Sequence, residues 1–160
     1  MNSEILKLLS ANARYTYSQL AKMTGMTEEE VKKEIKELEK SGIICGYKAV
    51  IDLEKLENPP ASAIVELNVV PKADLGFEEV AEKVASFEQV ESVYLMSGVY
   101  DLNVVVKGKT LQDVARFVAK ELATIESVTS TTTHFLMRRY KELDVSLFDK
   151  KPDDRGQFLL

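Results

Sequence analysis

Two threonines, Thr16 and Thr27, are each followed three residues later by a side chain able to reach back, Gln19 and Glu30, and this pattern constrains the start of the chain more than any other. In such a capping box the threonine hydroxyl accepts from an orphan N–H of the first helical turn, and the glutamine or glutamate accepts from the threonine's own N–H. The helix opened by Thr16 buries Leu20, Ala21 and Met23 and stops at Gly25, where a tight exit turn needs the left-handed backbone that glycine adopts at little cost. The helix opened by Thr27 carries Val31, Ile35 and Leu38 at i, i+4 and i+7 and ends at Gly42. A turn of about four residues joins the two, which is helix-turn-helix spacing. Ahead of them Ile5, Leu6, Leu8 and Leu9 fit a short helix with one apolar side.

After Gly42 the helical period disappears. Ile43, Ile44, Tyr47, Ala49, Val50 and Ile51 predict a strand or a wing-like hairpin, and Asn58, Pro59 and Pro60 then break the chain and place a domain boundary nearby. From Ala61 the alternation of Ala63, Val65, Leu67 and Val69 predicts a strand ending at Pro71. A helix with Phe77, Val80, Ala81 and Val84 on one side follows, then a strand from Val90 to Met96, a turn at Gly98 and Val99, and a strand alternating through Leu102, Val104 and Val106 to Gly108. Thr110 and Asp113 open a further helix, with Leu111, Val114, Ala115, Val118 and Leu122 on one face, and Val128 to Tyr140 reads as a last, long strand.

The order β, α, β, β, α, β is the ferredoxin-like arrangement, with two helices on one face of a four-stranded antiparallel sheet. Ile64, Tyr94, Val105 and Phe135 are expected on the other face, where no further element is left to cover them and a partner subunit is the simplest solution. The fold class is therefore α+β, a winged helix-turn-helix followed by a ferredoxin-like βαββαβ domain. The division expected is 1–44 for the helix-turn-helix, 45–60 for strand and linker, 61–140 for the second domain and 141–160 for a tail. Lys150, Lys151, Pro152, Asp153 and Asp154 give that tail a solvated character, although Phe148, Phe158, Leu159 and Leu160 are able to dock.

Charge restricts how such a chain meets nucleic acid. Residues 1–60 carry 9 basic and 10 acidic side chains, 61–140 carry 8 and 11, and 141–160 carry 4 and 5, for a net charge of −5. No segment is basic, so DNA contact must come from local placement of lysines. One cysteine, Cys45, and one histidine, His134, leave no internal disulfide and no cluster of metal-ligand spacing, so neither metal nor cofactor is expected. Cys45 reads as a semi-buried filler and His134 as a strand residue at an interface. No apolar run approaches the ~20 residues of a membrane span, and the first residues lack the basic flank of a secretory signal. A cytoplasmic protein is expected.

Gln19, Leu20, Ala21, Gly25, Met26, Thr27, Val31, Ile35, Leu38, Glu39, Gly42, Ile43, Ile44 and Tyr47 together resemble the helix-turn-helix signature of the leucine-responsive/AsnC (feast/famine) family of transcriptional regulators. Gly98, Val99, Tyr100 and Asp101 at the hairpin, with Val128, Thr131 and Thr133 on the last strand, resemble the family's amino-acid-metabolism regulatory domain. The resemblance runs from about Ile5 to Tyr140. It implies a non-enzymatic DNA-binding regulator whose operator binding is modulated by a small effector, commonly an amino acid, held at a cleft between dimers that assemble as far as an octamer.

On that reading the DNA contacts are Lys32, Lys33 and Lys36 on the second helix of the motif, on the face away from Val31 and Ile35. Tyr17, Ser18 and Thr27 join them at helix starts, where hydroxyls and backbone N–H groups can hold phosphates. Glu34 stands where the resembled helix usually carries arginine. With Glu30, Val31, Glu37 and Leu38 at three- and four-residue spacing, none of them basic, it reads as a brake on affinity. The effector candidates are Gly98, Tyr100, Asp101, Thr131 and Thr133. Gly98 permits a positive φ, the Asp101 carboxylate can accept from an ammonium group, and threonine hydroxyls can hold a carboxylate. Two other readings compete. The acidic first turn, Glu28, Glu29 and Glu30, suits an interaction protein whose DNA-binding head has degraded. Siroheme decarboxylases resemble the same two-domain plan, but their hairpin is rich in histidine and arginine, and 96–101 here holds neither.

Overall fold

The computed structural model describes residues 3–70 and 76–148, and the chain divides into two compact units, Met1–Val50 and Ile51–Leu160. In the first, α1 (Ser3–Ala11), α2 (Tyr17–Thr24) and α3 (Glu28–Lys40) close around Ile5, Leu20, Ala21, Val31, Ile35 and Leu38. Both capping boxes form. Thr16 Oγ1 accepts from the Gln19 N–H at 3.2 Å while Gln19 Oε1 accepts from the Thr16 N–H at 2.9 Å, and Thr27 and Glu30 repeat the exchange. Gly25 takes φ +71°, which turns the chain from α2 into α3 within three residues. Met23 is exposed rather than buried, because the core meets α2 along Leu20 and Ala21.

Residues 43–51 carry no strand. Their β-branched residues favour extension, but a strand needs a partner ladder and the described residues of this unit supply none. From Cys45 the segment has no regular secondary structure and is pinned to α3 by the Tyr47 hydroxyl, which donates to Glu39 Oε1 at 3.0 Å. Burial and this bond to an anion raise the Tyr47 pKa above its ordinary value. Cys45 is exposed, with its thiol against the Gly42 carbonyl at 3.0 Å, so the filler reading is corrected.

The second unit contains β1 (Ala61–Val69), α4 (Glu78–Ala85), β2 (Val90–Leu95), β3 (Leu102–Gly108), α5 (Leu111–Phe117) and β4 (Val128–Phe135). The sheet order is β2-β3-β1-β4 with every pairing antiparallel. Ala63, Val65, Leu67, Leu102, Val104 and Val106 face Val80 and Val84 of α4 and Val114 and Phe117 of α5 to make the core. Beyond Phe117 the helix widens into a π turn over Val118–Leu122, closed by the Ala123 N–H on the Val118 carbonyl at 2.8 Å.

β4 stops at Phe135, five residues short of the expected Tyr140. Its partner β1 starts at Ala61 behind Pro59 and Pro60, which have no N–H to continue a ladder, so the last rung is the Leu136 N–H on the Ser62 carbonyl at 2.9 Å. The chain then makes a small hairpin of β5 (Lys141–Glu142) and β6 (Val145–Ser146), with the Tyr140 and Phe148 rings stacked at 5.2 Å. Residues 141–148 are thus folded back on themselves, while the tail features from Lys150 to Leu160 lie outside the described residues.

Register also corrects one face assignment. Phe135 pairs with Ala63 and so points to the helix side, whereas Ile64, Tyr94 and Val105 occupy the open face as expected. That face is more polar than its alternation suggests. Glu66 and His134 pair across it at 3.2 Å, and the Asn68 side-chain amide donates to Ser130 Oγ at 2.9 Å. The segment before the prolines belongs to this unit. A short 3-10 turn, Leu53–Lys55, presents Glu54, whose carboxylate accepts from the Arg139 N–H at 2.9 Å and meets Arg138 Nε at 3.6 Å. The division after Val50 therefore precedes the prolines.

Candidate DNA-binding and effector sites

α3 separates its charges only in part. At 100° per residue, Lys32, Lys36 and Lys40 form an i, i+4, i+8 row on one flank of the buried Val31–Ile35–Leu38 stripe, with Lys33 beside it, and all four are exposed. Glu30, Glu34 and Glu37 take the other flank, while Glu28, Glu29 and Glu39 stand among the lysines. Like charges one turn apart destabilise a helix by a few tenths of a kcal/mol per pair, and an anion lying along the row removes that cost. Lys40 was not among the expected contacts; its signal is the continuation of the four-residue step.

The three hydroxyl candidates differ. Tyr17 and Ser18 occupy the first two positions of α2, Tyr17 exposed and Ser18 half-buried. Thr27 is committed elsewhere, since its hydroxyl donates to Glu30 Oε2 at 2.8 Å while accepting from the Glu30 N–H at 3.3 Å. Hydrogen bonds from the Thr27 backbone and hydroxyl hold the Glu30 carboxyl below the usual carboxylate range. The O–H expected for a phosphate is thus spent inside the cap. Glu34 is half-buried and has an interaction of its own, which its helical neighbours did not indicate.

In the second unit the hairpin is tied to β1 through Asp101. Its N–H donates to the Leu67 carbonyl at 3.0 Å, its carbonyl accepts from the Met96 N–H at 2.8 Å, and its Oδ2 accepts from the Val69 N–H at 2.7 Å. Val69 lies two residues beyond Leu67 on the same edge of β1, past the last β1–β3 pair at Leu67/Leu102, so the carboxylate satisfies a backbone group that β3 no longer reaches. Gly98 does not take a positive φ, and a Cβ there would meet nothing within 4 Å, so the turn does not require glycine. Val99 at the tip is 95% exposed. The Tyr100 hydroxyl accepts from the Asn103 side-chain amide at 3.2 Å.

Thr131 and Thr133 pair with Leu67 and Val65, which places their side chains on the helix side of the sheet, half-buried. Asp101 flanks β1 on one side and Thr131 on the other, so about two strand spacings, roughly 10 Å of backbone, separate them. Asn68, Ser130 and Thr129 are the polar groups nearest the bulge, the Thr129 hydroxyl donating to the Asn68 carbonyl at 3.2 Å. Asn68 was legible only as a polar position in phase with Ile64 and Glu66.

Residues 62–145 match the Lrp/AsnC ligand binding domain, and residues 3–44 match a winged helix-turn-helix DNA-binding family. The HTH-type transcriptional regulator YugG of Bacillus subtilis is 47% identical over 154 residues, 96% of this chain and 92% of that protein. LrpA of Pyrococcus abyssi, an HTH-type transcriptional regulator, is 34% identical over 137 residues, 86% of this chain and 94% of its own length. Among solved structures, a transcriptional regulator of Neisseria meningitidis in complex with L-methionine superposes with a TM-score of 0.69 at 22% identity, covering 87% of this chain and 89% of that one. Matched in both domains and along most of its length, the chain belongs to the Lrp/AsnC family of HTH-type DNA-binding transcriptional regulators.

Proposed function

We propose that this regulator binds its operator through the lysine row of α3 and that an amino acid held beside the 96–101 hairpin modulates that binding through a homo-oligomer, in the cytoplasm. The observation that carries the reading is the position of Asp101. Its Oδ2 is spent on Val69, which fixes the carboxylate at the hairpin base, and its other oxygen can accept from a ligand ammonium group. The L-methionine in the Neisseria regulator is such a ligand.

Thr131 is too far from Asp101 for one amino acid to bridge both within a single chain. The carboxylate end is therefore held by Asn68, Ser130 or a second copy, which ties the ligand to assembly. The open sheet face, with Ile64, Tyr94 and Val105, is the surface for that copy, giving a dimer and, through further hairpin contacts, an octamer. Tyr17, Ser18, Lys32, Lys33, Lys36 and Lys40 supply the DNA contacts.

The test is a gel-shift titration on the gene's own upstream region with a panel of the twenty amino acids, run beside light scattering. The expected result is salt-sensitive binding that one or a few amino acids alter, from a species larger than a monomer. A monomer at micromolar concentration, or a shift that no amino acid changes, refutes the corresponding half.

A further inference from the structure

The single histidine of the chain stands on the open face of the sheet, and its neighbour there is a carboxylate. His134 Nε2 lies 3.2 Å from Glu66 Oε1, the histidine on the edge strand β4 and the glutamate on β1, between β3 and β4. The two meet diagonally across the ladder, since Ile64 opposes His134 and Thr132 opposes Glu66. Register sets Glu66 inside the apolar surface rather than at its rim. Val105 opposes Ile64, Asn103 opposes Glu66, and Tyr94 opposes Asn103. Whatever covers Ile64, Val105 and Tyr94 therefore covers Glu66 as well.

The other polar groups of this face are engaged elsewhere. Lys107 pairs with Glu91 at 3.6 Å, and Arg139, from the segment after β4, meets Glu91 at 3.9 Å and Glu142 at 3.8 Å. The Asn103 amide donates to the Tyr100 hydroxyl at 3.2 Å and the Asn68 amide to Ser130 Oγ at 2.9 Å, both neutral pairs. The phenols of Tyr94 and Tyr100 belong to a class that ordinarily titrates far above neutrality. Among the described residues, His134 is thus the group placed to neutralise Glu66. Taking a lone carboxylate out of water is costly, whereas a carboxylate and an imidazolium in contact enter as a pair of no net charge. An isologous contact doubles the effect, because the second copy brings the same pair on the same face.

We propose that a second copy covers this face with His134 protonated, so that assembly takes up protons and is switched by pH; the inference rests on the reading of the open face as the dimer surface. Imidazole is the side chain whose ordinary charge change falls between about pH 5 and 8. The linkage has one sign. Association is tightest at acid pH, where the ring is charged before the copies meet, and weakens as pH rises through the neutral range. Uptake is at most one proton per subunit, so log Kd for the dimer rises by at most about two per pH unit.

Fluorescence-detected sedimentation of the full chain gives the monomer–dimer Kd. The wild type is expected to bind at least about tenfold more weakly at about pH 8 than at about pH 6. Glu66→Gln removes the buried charge and is expected to associate at the higher pH at least as tightly as at the lower. His134→Gln leaves the carboxylate alone and is expected to be as weak at both as the wild type is at the higher pH. Circular dichroism confirms that each variant is folded. Tyr94→Glu places a new charge on the same face and tests the underlying reading, with a monomer expected where the wild type is a dimer. A wild-type Kd that does not move with pH while Tyr94→Glu is monomeric overturns the proton linkage alone. A dependence that survives in Glu66→Gln assigns the protons elsewhere and overturns it too. Assembly of Tyr94→Glu with wild-type affinity overturns the open-face reading and this proposal with it.

Discussion

Asp101 is assigned two tasks, and two substitutions separate them. Its Oδ2 holds the Val69 N–H at 2.7 Å, a charge-assisted bond at a half-buried position, and its other oxygen is the proposed ammonium acceptor. Asp101→Asn keeps a side-chain carbonyl for Val69 and removes the charge. A charge-assisted bond is about twice as strong as a neutral one, so the loss is about 1 kcal/mol, roughly 4–8 °C in Tm for a unit of this size. Asp101→Ala also leaves the Val69 N–H unsatisfied beyond the end of the β1–β3 ladder, which raises the loss to about 2–3 kcal/mol. Ligand binding follows a different order. Both variants lose the ionic contact, worth about 1.5–3 kcal/mol, and bind the effector roughly 10- to 100-fold more weakly. Differential scanning calorimetry and isothermal titration calorimetry read the two effects. If Asp101→Asn binds the effector as tightly as the wild type, the carboxylate is not the ammonium acceptor. If Asp101→Ala unfolds with the wild type, the Val69 bond is not a latch.

Lys32→Ala and Lys36→Ala are each expected to weaken operator binding and to reduce the slope of log affinity against log salt by about one unit; unchanged slopes in both move the contact surface elsewhere. Glu34→Arg is expected to tighten operator binding by about tenfold, the low end of one bidentate base contact because the position is half-buried; weaker binding by a folded variant shows that the acidic flank of α3 does not meet DNA. Ser62 is 4% exposed and its hydroxyl has no hydrogen-bond partner among the described residues, so Ser62→Ala should raise stability by about 1 kcal/mol, read as an increase in Tm. Glu30 has a depressed pKa in the fold, so its contribution is present above the ordinary carboxylate value of 4.5 and fades as pH falls through the lower folded value. The loss of helicity in the first unit on acidification should therefore flatten in Glu30→Gln, monitored by circular dichroism between pH 5 and about 2.

Local chemistry was readable without coordinates wherever it closes within a few residues. The capping boxes at Thr16 and Thr27, the exit at Gly25, the apolar stripe of α3 and the βαββαβ order all rest on interactions spanning four residues or fewer, or on a period of two. The face of Phe135, the end of β4, the unpaired course of 43–51 and the tie between Glu54 and Arg139 depended instead on which backbone lies alongside. No spacing along one strand encodes where its neighbour starts; Pro59 and Pro60 end β4 from across the sheet, and residue 135 itself carries no sign of it. The candidate site divides the same way. Asp101 was visible as a carboxylate beside a turn, but its bond to Val69 exists because β1 runs on past the end of the β1–β3 ladder at Leu67/Leu102 and presents an N–H there. The π turn over Val118–Leu122 had no sign in the helical period either, and only the tertiary structure brought Lys109 and Lys120 to a concavity that Phe87 and Phe117 also line.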